Sequence, residues 1–274
     1  MSGKKASGAE RSDKKWLKIV LGVILISVWA FASVVASQLV IGFLLKWILG
    51  AENLSQPVPL TIYYILADAL AVALVVFVPA NLTIKWKTKK PRKKKLVKDS
   101  EKVFKTPSRT GLGLSGWPTW TDIGLSPVGL IVSIILAAGL VALFSLFPWF
   151  DAEQAQETGF MLYMNGFDRV MAFLALVVVA PIAEEIIFRG WLYGKLREKL
   201  SDLPEWGGIA LSMFITSAIF GLMHFQWNVG VNVFCLSLVL CGLREITGTI
   251  YAGILTHMLR NGLAFFLLYV LGIS

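Results

Sequence analysis

The stretch Pro181-Ile-Ala-Glu184-Glu185-Ile-Ile-Phe188-Arg189-Gly-Trp191 carries two adjacent carboxylates near the end of an otherwise apolar run, 170–188. An ionised carboxylate in hydrocarbon costs several kcal/mol, so a membrane helix rarely holds one without a partner or a function. Two successive helical residues point about 100° apart, so at most one of them faces a given partner squarely. Arg189 lies four residues after Glu185, on the same helical face, and we expect it to keep Glu185 ionised. Glu184 is then free to face elsewhere.

The composition excludes an ordinary soluble domain. Of the 274 residues, 56% are hydrophobic and only 16% are charged, and the mean hydropathy is +0.70. A soluble domain has about 25% charged residues. We therefore expect an all-α fold, a polytopic bundle of transmembrane helices.

The net charge of +9 is concentrated in two clusters beside the first two apolar runs. Lysine and arginine next to membrane spans remain in the cytoplasm, so we expect a cytoplasmic N-terminus in a bacterial cytoplasmic membrane. The clusters indicate contact with anionic lipids and not with nucleic acid. They consist of Lys4, Lys5, Arg11, Lys14, Lys15 and Lys18, and of Lys85, Lys87, Lys89, Lys90, Arg92, Lys93, Lys94, Lys95 and Lys98.

The apolar runs predict three regions: a disordered basic N-terminus (1–15), two transmembrane helices with a basic cytoplasmic loop (16–109), and an intramembrane core (110–274). A lone aspartate, Asp68, falls within the second span and is expected to bond a neighbouring helix rather than to carry protons. The sixth span is the shortest. The seven predicted spans are 19–45, 59–84, 127–147, 170–188, 206–227, 229–243 and 246–271.

The chain has two histidines, His224 and His257, and both fall in predicted spans. Pro204 lies midway between Glu184 and His224, so a helical hairpin that turns there brings these two side chains to the same depth. His257 and Asn261 are four residues apart and share a helical face. The pattern predicts a polar cluster in a catalytic cavity between the fourth, fifth and seventh helices.

Two chemistries suit this cluster. Glu184, His224 and His257 match the ligand count of a catalytic zinc site that leaves one position for water. Alternatively, Glu184 is the general base for a water held by His224, while His257 and Asn261 stabilise the oxyanion. Both schemes hydrolyse an amide, and the sequence leaves the divalent metal open.

The order Glu-Glu-x-x-x-Arg, Phe-x-x-x-His and His-x-x-x-Asn, each in a span, resembles the CAAX protease and bacteriocin-processing (CPBP, or ABI) family of intramembrane endopeptidases, which includes the type II CAAX prenyl endopeptidases. The resemblance implies a glutamate or metallo-type protease that cleaves a membrane-presented peptide or a prenylated CAAX-like tail. Eukaryotic members usually have eight spans, so eight is the alternative to seven here. The residues that match the catalytic motifs are Glu184, Glu185, Arg189, Phe220, His224, His257 and Asn261.

Two other classes of function compete with an endopeptidase. In a non-catalytic membrane adaptor or bacteriocin self-immunity protein, the polar cluster would only hold the helices together. A small transporter would use Glu184 and the histidines as a proton relay, but the chain shows no inverted repeat. Arg260 could face a substrate carboxylate, although snorkelling or a structural ion pair is the reading that we favour from the sequence.

Overall fold

The computed structural model describes residues 3–81, 111–152, 157–160 and 164–273. Within these ranges the regular elements are helices, without a strand. Seven helices are long and apolar enough to cross a membrane, which confirms the predicted all-α bundle. They are α1 (Gly3–Leu49), α2 (Pro57–Asn81), α3 (Trp120–Phe144), α4 (Gly166–Lys199), α5 (Glu205–Leu222), α6 (Trp227–Thr247) and α7 (Tyr251–Val270).

Helix α4 is continuous but contains two wider π-helical segments, Leu174–Val179 and Glu185–Leu192. The first segment lies directly upstream of Pro181, whose ring clashes with the carbonyl four residues back and which has no N–H to donate. In this segment Ala180 donates to the carbonyl of Ala175, five residues back. Single-turn widenings of this kind are frequent at functional sites.

The C-terminal helices form the packed part of the bundle. Helix α3 packs against α6 and α7, and α5 packs against α6. Small residues allow close approach, as is common between membrane helices. A Cβ atom at Gly221 would lie 2.8 Å from the carbonyl oxygen of Gly230, so the α5 and α6 backbones touch where the chain reverses. Helix α1 packs mainly against α2 and exposes large apolar side chains such as Phe43 and Trp47.

The segment before α3 is docked onto the bundle. The carbonyl of Gly113 accepts a hydrogen bond from the backbone N–H of Ile250 at 3.1 Å. The carbonyl of Gly111 accepts one from Arg244 Nη2 at 3.0 Å. A Cβ atom at Gly190 would lie 2.9 Å from the carbonyl oxygen of Leu112. Gly190 therefore lets this segment lie directly on the second π-helical segment of α4.

Several predicted boundaries are wrong. Helix α1 begins at Gly3, inside the stretch expected to be disordered. The good helix formers of that stretch, alanine, lysine and glutamate, allow the helix to extend upstream of the span. Helix α3 begins at Trp120 and not near Pro127, because Thr119 and Asp122 form a reciprocal capping box. The predicted basic loop at 85–109 lies outside the described residues.

The fifth and sixth spans also differ from their predicted ends. Helix α5 ends at Leu222, so His224 lies just beyond the helix and not inside it. Helix α6 begins at Trp227 and continues to Thr247, where Gly248 ends it in a left-handed conformation at φ 75°. The sixth helix therefore has 21 residues and is long enough to span.

Candidate active site

Glu185 and Arg189 form an ion pair in the interior of α4. The Arg189 Nη1 and Glu185 Oε1 atoms are 2.9 Å apart, and both side chains are fully buried. The guanidinium carbon of Arg189 also lies 4.5 Å from the centre of the Phe220 ring, a distance suited to a cation–π contact. The predicted pairing of Glu185 with Arg189 is confirmed, and this pair forms the inner end of the cluster.

His257 connects Glu185 to Glu184. Its Nδ1 atom is 3.2 Å from Glu185 Oε1, and its Nε2 atom is 3.5 Å from Glu184 Oε2. A carboxylate accepts hydrogen bonds and does not donate them, so Nδ1 of His257 carries the proton that faces Glu185. This contact fixes the ring orientation and directs Nε2 towards Glu184. The structure thus brings Arg189, Glu185, His257 and Glu184 into one continuous polar chain.

The two adjacent glutamates have different environments. The side chain of Glu185 is fully buried, whereas 29% of the Glu184 side chain is accessible. The predicted division of roles, with one glutamate held by arginine and the other facing elsewhere, agrees with this difference. Helix α2 packs against the turn Ala180–Glu184, and the carboxylate of its Asp68 interacts electrostatically with Glu184. Among the described residues Asp68 makes no hydrogen bond, so the expected bond to a neighbouring helix is not found.

Phe220 separates the two histidines. Its ring packs edge-to-face against His224, with 5.2 Å between ring centres, and against His257, with 5.8 Å. It also packs against Phe188 at 4.9 Å. The imidazole of His224 therefore contacts the Phe220 ring, and among the described residues it contacts no carboxylate of the cluster directly.

His224 lies in the short connection between α5 and α6. Its Nδ1 atom is 2.9 Å from the carbonyl oxygen of Phe220. A carbonyl only accepts, so Nδ1 carries the proton and Nε2 presents a lone pair. Burial lowers the pKa of His224, which keeps the ring neutral at neutral pH. The next residue, Phe225, has φ 53°, a conformation that is costly for an aromatic residue and that recurs at functional sites.

Asn261 holds α7 against α4. Its Nδ2 atom donates to the carbonyl oxygen of Leu176 at 2.9 Å. This carbonyl belongs to the first π-helical segment, where Ala180 donates to Ala175 instead and Pro181 has no N–H. The asparagine predicted as a catalytic residue thus supplies the hydrogen bond that the proline removes. Its catalytic role stays a prediction.

Gly253 contacts the cluster and is not among the residues that the sequence predicts. It lies one turn before His257 on the same face of α7, and a Cβ atom there would be 2.8 Å from Glu185 Oε2. Any larger side chain would therefore displace the carboxylate that orients His257. A glycine four residues before a motif histidine, on the same helical face, was the available signal.

The predicted zinc ligands do not form a ready metal site. Within the described ranges, no three or more histidine, cysteine, aspartate or glutamate side chains are grouped so that they could hold a metal ion. His257 directs both ring nitrogens at glutamates, and the free Nε2 of His224 is separated from it by the Phe220 ring. These side chains would have to move to coordinate one ion together.

Two cavities border the cluster. A polar one of about 260 Å³ lies between α3, α6 and α7, with Asn261 in its wall. An apolar one of about 730 Å³ lies between α3, α5 and α6, and its walls include Leu222 and Phe225 on either side of His224. The catalytic cavity predicted between the fourth, fifth and seventh helices stays a prediction.

The fold and the cluster define the class of protein: an integral membrane protein of seven long apolar helices with acid–base side chains inside the bundle. Residues 166–263 match the family model described as type II CAAX prenyl endopeptidase Rce1-like. This match agrees with the resemblance of the sequence motifs to the CPBP family. The searches of curated proteins and of solved structures gave no match.

Proposed function

We propose that the protein is an intramembrane endopeptidase in which Glu184 activates a water molecule to hydrolyse a peptide bond. The observation that carries this proposal is the position of His257 between a sealed, arginine-paired Glu185 and a partly accessible Glu184. A purely structural ion pair would not need a second, accessible carboxylate on the other nitrogen of the same imidazole. General bases need access to a water molecule, whereas the groups that orient them do not.

The proposed reaction uses the two histidines differently. Water donates one hydrogen bond to the free Nε2 of His224 and the other to Glu184, and both groups are able to accept. Its oxygen then attacks the carbonyl carbon as Glu184 takes the proton. Glu184 delivers this proton to the amine that leaves when the peptide bond breaks. His257, oriented by Glu185, faces Glu184, and with a second proton on Nε2 it stabilises the negative charge that develops on the substrate.

A zinc-dependent version of the reaction would use Glu184, His224 and His257 as ligands, and zinc would polarise the water and the substrate carbonyl. The described arrangement does not fit this version without movement of those side chains. The dependence on a divalent metal is measured in the experiment below.

We further infer that the substrate is presented from the membrane, as a peptide segment or as a prenylated, CAAX-like protein tail. The apolar cavity of about 730 Å³ beside His224 supports this inference, because its walls are mostly large apolar side chains. Two of its wall residues, Leu222 and Phe225, flank His224 in the sequence, which is the link between this cavity and the proposed water. The family match over residues 166–263 also supports it.

We also infer a cytoplasmic N-terminus in a bacterial cytoplasmic membrane, with anionic lipids near the basic clusters. The bias of lysine and arginine towards one set of connections supports this orientation. Accessibility labelling of single cysteines placed on either side of α1, after replacement of Cys235 and Cys241, measures it directly.

The test is cleavage of membrane-presented peptide libraries by the purified chain and by Glu184→Gln, His224→Ala and His257→Ala variants, each with and without a chelator. Glu184→Gln keeps the shape and removes the base, so we expect activity to fall by roughly 10²–10⁴-fold. Glu198→Gln is the matched control, because Glu198 lies on the same helix and is half exposed. A wild-type chain that cleaves nothing, with variants that are only less stable, would favour the non-catalytic adaptor.

A further inference from the structure

Arg260 lies in α7 without a carboxylate partner. Its Nη2 atom donates to Asn232 Oδ1 of α6, and it forms no ion pair with any residue in the described ranges. Of the two favoured explanations of Arg260, the structural ion pair is not found among the described residues, and snorkelling stays a prediction. An arginine inside a membrane span is costly and normally pairs with an anion. Among the described residues, therefore, no carboxylate compensates this guanidinium.

Arg260 lines a small cavity with a partly polar wall. The cavity has a volume of about 260 Å³, and its polar wall consists of Arg260, Asn228, Asn232 and Asn261. The rest of the wall is made by aliphatic side chains of α3, α6 and α7. Guanidinium and amide N–H groups in an apolar surround suit a carboxylate, because the planar guanidinium can bind both oxygens of a carboxylate.

The cavity is connected to the proposed active site through α7. Asn261 lines the cavity and also binds the carbonyl of Leu176 in α4. Arg260 follows His257 by three residues, which is a rise of roughly 4.5 Å along the helix. A peptide bound at His257 can therefore place a carboxylate in the cavity with only a short stretch of chain between them.

We propose that this cavity binds a carboxylate of the peptide substrate, with Arg260 as the residue that recognises it. The proposal rests on the proposed endopeptidase function and adds a specificity determinant to it. The carboxylate is either the free C-terminus of the peptide or the side chain of an acidic residue. Both present the same group to Arg260, and the experiment below separates them.

The experiment measures binding and not cleavage, so that it does not depend on turnover. The full chain with Glu184→Gln is reconstituted in lipid nanodiscs. The probes are two pools of fluorescein-labelled hexapeptides, randomised in apolar residues, which end in a carboxylate or in an amide. We expect the carboxylate pool to be retained at least about tenfold better, as a charged hydrogen-bonded pair suggests.

Variants then test whether the cavity causes the preference for the carboxylate pool. Arg260→Gln should reduce it to less than about twofold, and Arg260→Lys should retain part of it, because lysine keeps the charge but loses the planar fork. Asn232→Leu, which removes the acceptor of Arg260 and one amide of the cavity wall, should also reduce the preference and covers the case in which Arg260→Gln fails to fold. Arg169→Gln is the matched control, since Arg169 lies outside the cavity and donates to the carbonyl of Met164.

A third pool, with an amide end and one glutamate at a fixed position, identifies the source of the carboxylate. Retention of this pool that depends on Arg260 assigns the cavity to an acidic side chain, and its absence assigns the cavity to the free C-terminus. Equal retention of all three pools by the parent chain would overturn the proposal, as would a preference that survives Arg260→Gln. Binding without any cleavage by the wild-type chain would instead count against the endopeptidase.

Discussion

Glu185 and Glu245 are both largely buried, and each contacts an arginine, but the two sites are built differently. Glu185 shares its Oε1 atom between Arg189 at 2.9 Å and His257 at 3.2 Å. Its other oxygen has no hydrogen-bond partner in the described ranges. The other ring nitrogen of His257 faces the partly accessible carboxylate of Glu184. The second oxygen of Glu245 also accepts no hydrogen bond within the described ranges, so the two sites differ in the histidine and the accessible carboxylate beyond it rather than in hydrogen-bond satisfaction.

The second site, around Glu245, connects the C-terminal turns of α4 and α6. Glu245 Oε1 accepts hydrogen bonds from Tyr193 Oη at 2.7 Å and from Arg197 Nε at 2.8 Å. Both donors belong to the last turns of α4, and the ion pair is slightly accessible rather than sealed. No histidine takes part in these two bonds. The comparison teaches that one helix, α4, carries a site suited to proton transfer and a site suited to holding helices together.

Among the variants considered, removal of Arg189 should cause the largest loss of stability. Arg189→Met leaves Glu185 buried without its cation, which costs about 3–5 kcal/mol of stability. Thermal unfolding in micelles measures this loss. Arg197→Met is the matched change at the other site, where partial exposure weakens the ion pair, and it should cost about 1 kcal/mol or less. Equal losses in the two variants would contradict the difference that we draw between the sites.

Gly253→Ala should damage the first site by a steric route. The new Cβ atom would lie 2.8 Å from Glu185 Oε2, and Glu185 is held by two partners, so we expect a cost of about 1–3 kcal/mol. Cleavage should fall at least tenfold, because the orientation of His257 changes. Gly262→Ala is the control on the same helix, where the nearest atom, Val177 Cγ1, is at an ordinary 3.5 Å. A Gly253→Ala variant with normal cleavage would show that the contact does not matter.

Asn261→Leu tests the link between α7 and the widened turn of α4. It leaves the carbonyl of Leu176 without its donor, at a cost of about 1–3 kcal/mol. Pro181→Ala restores a backbone N–H near that carbonyl, so the double variant should recover part of the loss. A double-mutant cycle of unfolding free energies measures the coupling. Strict additivity of the two changes would mean that the proline and the asparagine do not compensate each other.

Tyr193→Phe should have the smallest effect. It removes one of the two described donors to Glu245 and leaves Arg197 in place. We expect a loss of about 1 kcal/mol in unfolding free energy and unchanged cleavage. Loss of cleavage at normal stability would mean that the Glu245 site takes part in the reaction. The Glu185 and Glu245 sites would then not differ in function as we describe.

Much of this arrangement could be predicted from the sequence because it depends on regular helix spacing. The four-residue step from Glu185 to Arg189 and the helical hairpin around Pro204 follow from helix periodicity. The pairing of Arg189 with Glu185 is found as predicted. The seven apolar helices follow from composition and length and are also found.

The remainder depends on tertiary contacts that spacing does not specify. The π-helical segments change the alignment of α4 locally, and residue spacing alone does not indicate which carbonyl Asn261 binds. His224 was placed inside the fifth helix because the apolar run continues past it, whereas the chain turns at Phe225. The contact of His257 with both glutamates requires the packing of α7 on α4.

The most direct test of the central claim compares Glu184→Gln with Glu245→Gln in two assays, cleavage of a membrane-presented peptide and thermal unfolding. If Glu184 is the base and Glu245 holds helices together, Glu184→Gln should lose roughly 10²–10⁴-fold in cleavage and unfold near the wild-type temperature. Glu245→Gln should unfold earlier and still cleave. A Glu184→Gln variant that cleaves like the wild type, or that loses activity only by unfolding, would contradict the account.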